Sequence, residues 1–320
     1  MAERPVVLLT NKLHPDGEAL LAPEVRLVVA PDTTSATLRR LAGDADGIIV
    51  RAKLPDDIVE HGPRLKGIVR HGVGLDFIPV AAASARGIAV ANLPGCNTQA
   101  VAEYVFAALL HLRRRLADMD ATLRRDGWNA GKATAERTGE IGGTTLGIVG
   151  VGTIGRRIAA MARAGFGMKV LGTTRRPGSL PEGVEEVAIN ALFERADCIV
   201  LSCALTPQTR GLASRDRIAR MKQDAVLINV SRGPVVEAPA LIDALASRAI
   251  GGAALDVHDI QPLPADNPLF ACPNLLLTPH VAGITASSGR AMSIGAAEEM
   301  LRILRGERPV NLVNPGVWPV

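Results

Sequence analysis

The sequence predicts an α/β protein with two parallel sheets, and three observations carry that expectation. Short aliphatic runs alternate with amphipathic, alanine-rich stretches along all 320 residues, the pattern of strands joined by covering helices. Hydrophobic residues make up 48% of the chain and aromatics only 2%, so the core must be Val, Ile, Leu and Ala, as in strands buried on both faces. Several runs also end in one polar group, which is how parallel strands deliver side chains to a cleft at their carboxyl ends.

In chain order the first runs are VVLLT (6–10), VRLVVA (25–30), DGIIV (46–50), GIVR (67–70) and IAVANL (88–93). Polar, alanine-rich segments separate them, one ending at Gly87, and the set reads as a flavodoxin-like domain. Segment 97–127 breaks the rhythm. It predicts one long helix, with Asn97 or Thr98 as N-cap and Gly127 as stop, bridging domains or lining a partner interface. A second set follows: TTLGIVG (144–150), MKVLGTT (168–174), DCIVLSC (197–203), AVLINV (225–230), GGAALDV (251–257) and NLLLTP (274–279). Six such strands suit a doubly wound parallel-sheet dinucleotide-binding domain. The tail reads as a further helix and a Pro- and Asn-rich end. No internal repeat or low-complexity tract is evident.

Charge and cysteine content narrow the classes of function. The net charge is +4 and the basic run Arg113, Arg114, Arg115 would spread around a helix, so no nucleic-acid surface is expected. The four cysteines, 96, 198, 203 and 272, show no CxxC and no metal spacing with histidine, which fits a reducing cytoplasm and no metal. The start lacks a secretory pattern. The most apolar stretch, AVAEYVFAALLHL, contains Glu103 and His111, so no membrane span is expected.

GVGTIG (150–155) lies between the run LGIVG and the helical TIGRRIAAMARAGFG, the context a dinucleotide loop requires. Gly150 allows the tight turn, Gly152 a close approach to a pyrophosphate, and Gly155 close packing of helix on strand. The first helical amides, at Thr153 and Ile154, then face the phosphates. The next run should end in an acid if ribose hydroxyls are to be bound, but it ends in Thr174, Arg175 and Arg176. A missing carboxylate and two added guanidiniums predict NADP(H) in preference to NAD(H).

Three later runs end at Arg232, Gln261 and His280: a fixed cation, an amide and a titratable imidazole. Arginine grips a carboxylate with two prongs, and histidine moves protons near neutral pH. In RHGVGLDFIP (70–79) the glycines around Val73 would present successive N–H groups, an anion-binding nest at Val73 and Gly74.

This order of motifs, over nearly the whole chain, resembles the D-isomer specific 2-hydroxyacid dehydrogenase family, of the glyoxylate/hydroxypyruvate reductase type. The resemblance implies a discontinuous substrate domain (1–97 and 286–320) around a dinucleotide-binding domain (98–285), and a homodimer. CALTPQTRGL (203–212) is similar to the family's PLTPET loop, with Ala204 replacing its proline. By resemblance Leu205, Thr206 and Thr209 lie near the cofactor, and Asp256 contacts the nicotinamide carboxamide or positions nearby groups. Val230 and Gly283 complete the implied cofactor set. Arg51 and Asn97 are implied as substrate contacts, Asn97 in the hinge PGCNTQAVAE (94–103).

The implied reaction interconverts a small 2-keto acid and its D-2-hydroxy acid. Arg232 holds the carboxylate and polarises the carbonyl, and His280 donates a proton to the oxygen. One position departs from the family, whose DVxxxEP reads DVHDIQP here, so Gln261 replaces a glutamate that stabilises the imidazolium. An amide orients the ring but supplies no charge, so His280 is expected to hold its proton less tightly and reduction to favour more acidic pH. Asp259 would substitute for the glutamate if the loop bends, and His258 lies beside it. The departure keeps two alternatives open: a dinucleotide-binding regulator with little turnover, and a formate- or phosphite-type dehydrogenase, whose chemistry needs no proton donor.

Overall fold

The computed structural model describes residues 3–318, and the chain divides into two compact units, Met1–Asn97 with Ile284–Val320, and Thr98–Gly283. In the first unit, strands and helices alternate: β1 (Val6–Leu9), α1 (Pro15–Leu21), β2 (Arg26–Val29), α2 (Ser35–Ala42), β3 (Gly47–Val50), α3 (Ile58–His61), β4 (Gly67–Arg70), α4 (Val80–Ala85) and β5 (Ala89–Ala91). The five strands are parallel in the order β2-β1-β3-β4-β5, the flavodoxin arrangement. Strands β1 and β3 are buried along their whole length, which is why they are uninterrupted aliphatic runs rather than alternating ones.

The second unit opens with three helices, α5 (Thr98–Arg114), α6 (Leu116–Asp126) and α7 (Trp128–Ala135). The sequence predicts one helix here, and two backbone breaks correct that reading. Arg115 adopts a left-handed φ of 48° and Gly127 a φ of 84°, and neither conformation continues a right-handed helix. Nothing on α6 is buried, so no core contact holds it in line with α5. Gly127 does stop a helix, donating its N–H to Leu123 O.

The chain then forms β6 (Thr145–Val149), α8 (Thr153–Phe166), β7 (Lys169–Thr173), β8 (Val184–Glu186), α9 (Ile189–Arg195), β9 (Cys198–Leu201), α10 (Arg215–Ile218), β10 (Val226–Asn229), α11 (Ala238–Ala246), β11 (Gly252–Leu255) and β12 (Leu275–Leu277). Seven parallel strands lie in the order β12-β11-β10-β9-β6-β7-β8. The order reverses at β6, between β9 and β7, and such a switch point opens a crevice at the strands' carboxyl ends. Strand β8 was not expected from the sequence; it is an edge strand of three residues with Glu185 and Glu186 exposed, so it lacks an aliphatic signature. The chain returns to the first unit through α12 (Ala286–Leu304), started by a capping box between Thr285 and Ser288. Among the described residues no helix is long and apolar enough to cross a membrane, and no group of His, Cys, Asp or Glu could hold a metal ion.

Candidate active site

The glycine turn follows β6 at the switch point. Gly150 has φ 93°, and a Cβ there would lie 2.6 Å from Cys203 Cα, so neither the conformation nor the space admits a side chain. Ser202 Oγ donates to Gly150 O at 2.8 Å, pinning the turn from behind. A Cβ on Gly155 would lie 2.5 Å from Gly150 O, whereas one on Gly152 would meet nothing within 4 Å. Gly150 thus lets the turn pass against Cys203, Gly155 lets α8 pack on β6, and Gly152 leaves open space at the N-terminus of α8, beside Thr153 and Ile154. A dinucleotide pyrophosphate fits that cradle.

At the end of β7, Thr174 is half-buried and Arg175 and Arg176 are exposed. Neither guanidinium has an ion-pair or side-chain hydrogen-bond partner among the described residues. Their loop is closed by bonds between side chains and main chain: Ser179 Oγ donates to Arg176 O at 2.6 Å and Gly178 N to Glu186 Oε2 at 2.9 Å. Glu186, on the unforeseen β8, is therefore an acid near this edge that is engaged by the loop itself.

The 203–212 loop is held internally. Thr209 Oγ1 donates to Ala204 O at 2.7 Å and accepts from Thr206 N at 2.7 Å, while Leu205 packs on the core beneath. Val230 packs against the neighbouring core cluster.

The catalytic candidates stand at the carboxyl ends of three adjacent strands, Arg232 after β10, Gln261 after β11 and His280 after β12. Buried Asn229 shapes the arginine's turn, accepting from Ser231 N at 3.0 Å and donating to Arg232 O at 2.9 Å. A Cβ on Gly233 would strike the main chain of His258 and Asp259, so the arginine turn lies directly against the loop that carries Gln261. His280 has φ 59°, a conformation that must be held in place. Asp256 does this: its buried carboxylate accepts from Thr278 Oγ1 (2.6 Å), Val281 N (2.8 Å) and Ala282 N (2.9 Å), and its carbonyl accepts from His280 N (2.8 Å). Since Thr278 gives its proton to Asp256, Tyr104 is the donor in the 2.7 Å Tyr104–Thr278 bond. Asp256 thus positions the histidine turn, and Gly283 lies at the end of that turn.

Gln261 takes the place on the imidazole, with Oε1 3.0 Å from His280 Nδ1 and Nε2 donating to His258 O at 3.0 Å. Asp259 does not substitute: it lies near Arg210 and His258, and burial pushes its carboxyl above the usual range. His258 is buried, with Nε2 2.9 Å from Thr278 O.

In the first unit the 71–74 loop is pinned by its carbonyls. Asn92 Nδ2 donates to Val73 O at 2.7 Å and Arg70 Nε to Gly74 O at 3.0 Å, while Arg70 Nη1 reaches Val50 O at 2.7 Å. The Arg70 guanidinium also lies 4.5 Å from the centre of the Phe77 ring. In a trans peptide the N–H points opposite the C=O, so fixing these carbonyls fixes the amides of Gly74 and Leu75 on the opposite side. His71 is buried, with Nε2 2.9 Å from Ser293 Oγ. Its pKa is lowered to about 4, first by burial and then by Arg51, so it is neutral at pH 7. Arg51 is exposed, with Nη1 on Lys12 O at 2.6 Å. Asn97 Oδ1 is buried with no partner among the described residues.

Arg70, Asn92, Tyr104 and Thr278 escape a reading of the sequence because their partners are main-chain carbonyls or residues far along the chain. The one usable signal was a charged residue closing β4.

A doubly wound sheet with a glycine turn at its switch point, and arginine and histidine at neighbouring strand ends, defines a nicotinamide-dinucleotide oxidoreductase fold. The particular family follows from comparison. Residues 106–282 match the family described as D-isomer specific 2-hydroxyacid dehydrogenase, NAD binding domain. The chain is 38% identical over 314 residues to D-3-phosphoglycerate dehydrogenase of Methanocaldococcus jannaschii, covering 96% of this chain and 59% of that relative. It is 35% identical over 327 residues to glyoxylate reductase of Korarchaeum cryptofilum, covering 99% and 98% of the two. The NADPH-dependent glyoxylate/hydroxypyruvate reductase of Sinorhizobium meliloti, solved with NADP and malonate, superposes with a TM-score of 0.86 at 29% identity, covering 99% of each chain. The chain belongs to the D-isomer specific 2-hydroxyacid dehydrogenase family.

Proposed function

We propose that this protein is an NADP(H)-preferring reductase of a small 2-keto acid such as glyoxylate or hydroxypyruvate, forming the D-2-hydroxy acid. The observation that carries the reading is the set of Arg232, Gln261 and His280 at three adjacent strand ends. The Gly150–Gly155 turn would hold a nicotinamide dinucleotide by its pyrophosphate, and the cofactor would supply the hydride. Arg232 then holds charge that grows on the carbonyl oxygen, and His280 delivers or removes the proton there. The loop at Val73 and Gly74 is assigned to the substrate's acid group, with Arg51 and Asn97 as further polar contacts. Thr174, Arg175 and Arg176 are assigned to the 2′-phosphate, and Leu205, Thr206, Thr209, Val230 and Gly283 to the rest of the cofactor. Leu116 and Trp128, 59% and 74% exposed on α6 and α7, support a homodimer through this hairpin. A protein working in the cytoplasm on free metabolites fits the reading.

The test is the initial rate with glyoxylate and hydroxypyruvate, each with NADPH and with NADH. The expected result is turnover of at least one acid, with NADPH favoured in kcat/KM by about 100-fold, the discrimination two guanidinium–phosphate contacts supply. Tight NADPH binding without turnover of any 2-keto acid would favour a regulator instead.

A further inference from the structure

We propose that His258 is a positioning residue for proton transfer: its ring holds the carbonyl of Thr278 and, through that peptide, aims His280. The inference rests on the reading above that His280 handles the substrate's proton, and it gives a role to a buried side chain that the reaction itself does not use.

Residue 258 serves two members of the site through its main chain alone. Its carbonyl accepts from Gln261 Nε2 at 3.0 Å, and its carbonyl carbon lies 2.2 Å from where a Cβ on Gly233, the residue after Arg232, would stand. Any amino acid at this position supplies those atoms, so the ring needs a separate account. The ring is buried, with Nε2 2.9 Å from Thr278 O. A carbonyl only accepts, so Nε2 is the donor whatever the charge on the ring. The other nitrogen, Nδ1, is buried with no protein partner among the described residues. A buried ring nitrogen without a partner costs stability in either protonation state. A phenyl ring would fill the space without that cost. Packing therefore does not account for a histidine here; the bond to Thr278 does.

Thr278 O is the carbonyl around which the histidine turn folds. It also accepts from His280 N at 3.1 Å, in the turn that gives His280 its left-handed φ of 59°. Outside glycine such a backbone costs about as much as one hydrogen bond returns, so the turn must be held on both sides. After His280, the Asp256 carboxylate accepts from Val281 N at 2.8 Å and Ala282 N at 2.9 Å. Before it, Asp256 accepts from the Thr278 hydroxyl at 2.6 Å, while the Thr278 carbonyl is held from outside the turn by the His258 ring. Losing that N–H leaves the packing in place and loosens the peptide that precedes the imidazole. Proton transfer is sensitive to such a change, because a misplacement of about 1 Å can cost about 10²-fold in rate.

The experiment compares the full chain with its His258→Phe and His258→Gln variants, measuring thermal melting and the reduction of glyoxylate and hydroxypyruvate by NADPH. Phenylalanine keeps a ring and loses the donor; glutamine loses the ring and brings an N–H of similar reach. In His258→Phe, kcat is expected to fall at least about tenfold, while KM for NADPH stays within about twofold and the melting temperature holds or rises. His258→Gln is expected to recover kcat to within about threefold of the unsubstituted protein. A merely structural histidine would lose activity and melting temperature together. A smaller fall in His258→Phe, a melting temperature that drops with activity, or no recovery in His258→Gln overturns the proposal and leaves the keto acid reading standing. Reduction of neither acid by the unsubstituted protein overturns both.

Discussion

Replacing Arg232 with methionine is expected to lower kcat/KM for glyoxylate reduction by about 10³-fold, with kcat carrying much of the loss. Removing one donor aimed at developing oxyanion charge costs about 10²–10³ in kcat, and the guanidinium's grip on the carboxylate adds to it. Methionine keeps much of the stem's packing while removing the charge. The side chain also donates from Nη1 to Ser231 O at 2.7 Å, so a melting curve should accompany the kinetics. NADPH affinity is expected to be unchanged. A loss under tenfold, with the fold and cofactor affinity intact, would remove Arg232 from the chemistry.

The second large effect concerns the cofactor. Arg175→Ser together with Arg176→Ser is expected to raise KM for NADPH by about 100-fold and to change KM for NADH little. A charge-assisted hydrogen bond contributes about 1.5 kcal/mol at the low end, so two give about 3 kcal/mol, and 1.4 kcal/mol is a factor of ten. Both side chains are exposed, so the variant should fold normally. Glu186, the acid on the neighbouring strand, has its Oε2 held by Gly178 N at 2.9 Å. Equal changes in both KM values would show that the arginines bind something common to both cofactors, or nothing.

The strands were legible because burial on both faces turns them into aliphatic runs, as in Val6–Leu9 and Val226–Asn229. The parallel character of both sheets was legible through the alternation of runs and connections. Strand Val184–Glu186 was not, since an exposed edge imposes no aliphatic pattern. The break at Arg115 was hidden too: a non-glycine residue in the left-handed region carries no local signature, and the arginine run reads as ordinary helix.

In the site, residue types and spacing pointed to Arg232, Gln261 and His280. Their support was invisible. The carboxylate of Asp256 clamps residues 22 to 26 positions later in the chain, and the amide of Gln261 takes its direction from a carbonyl that only the folded loop presents. Arg70 and Asn92 likewise act on main-chain oxygens of the glycine loop. Main-chain partners leave no residue-type signal, so such contacts emerge only with the fold.

The central claim is hydride transfer to a 2-keto acid with D stereochemistry at the strand ends of the second unit. The most direct measurement is the configuration of the glycerate formed from hydroxypyruvate, by chiral chromatography, alongside the NADPH consumed. The account predicts D-glycerate, one for each NADPH oxidised. L-glycerate, or NADPH left unconsumed by the folded protein, would contradict it.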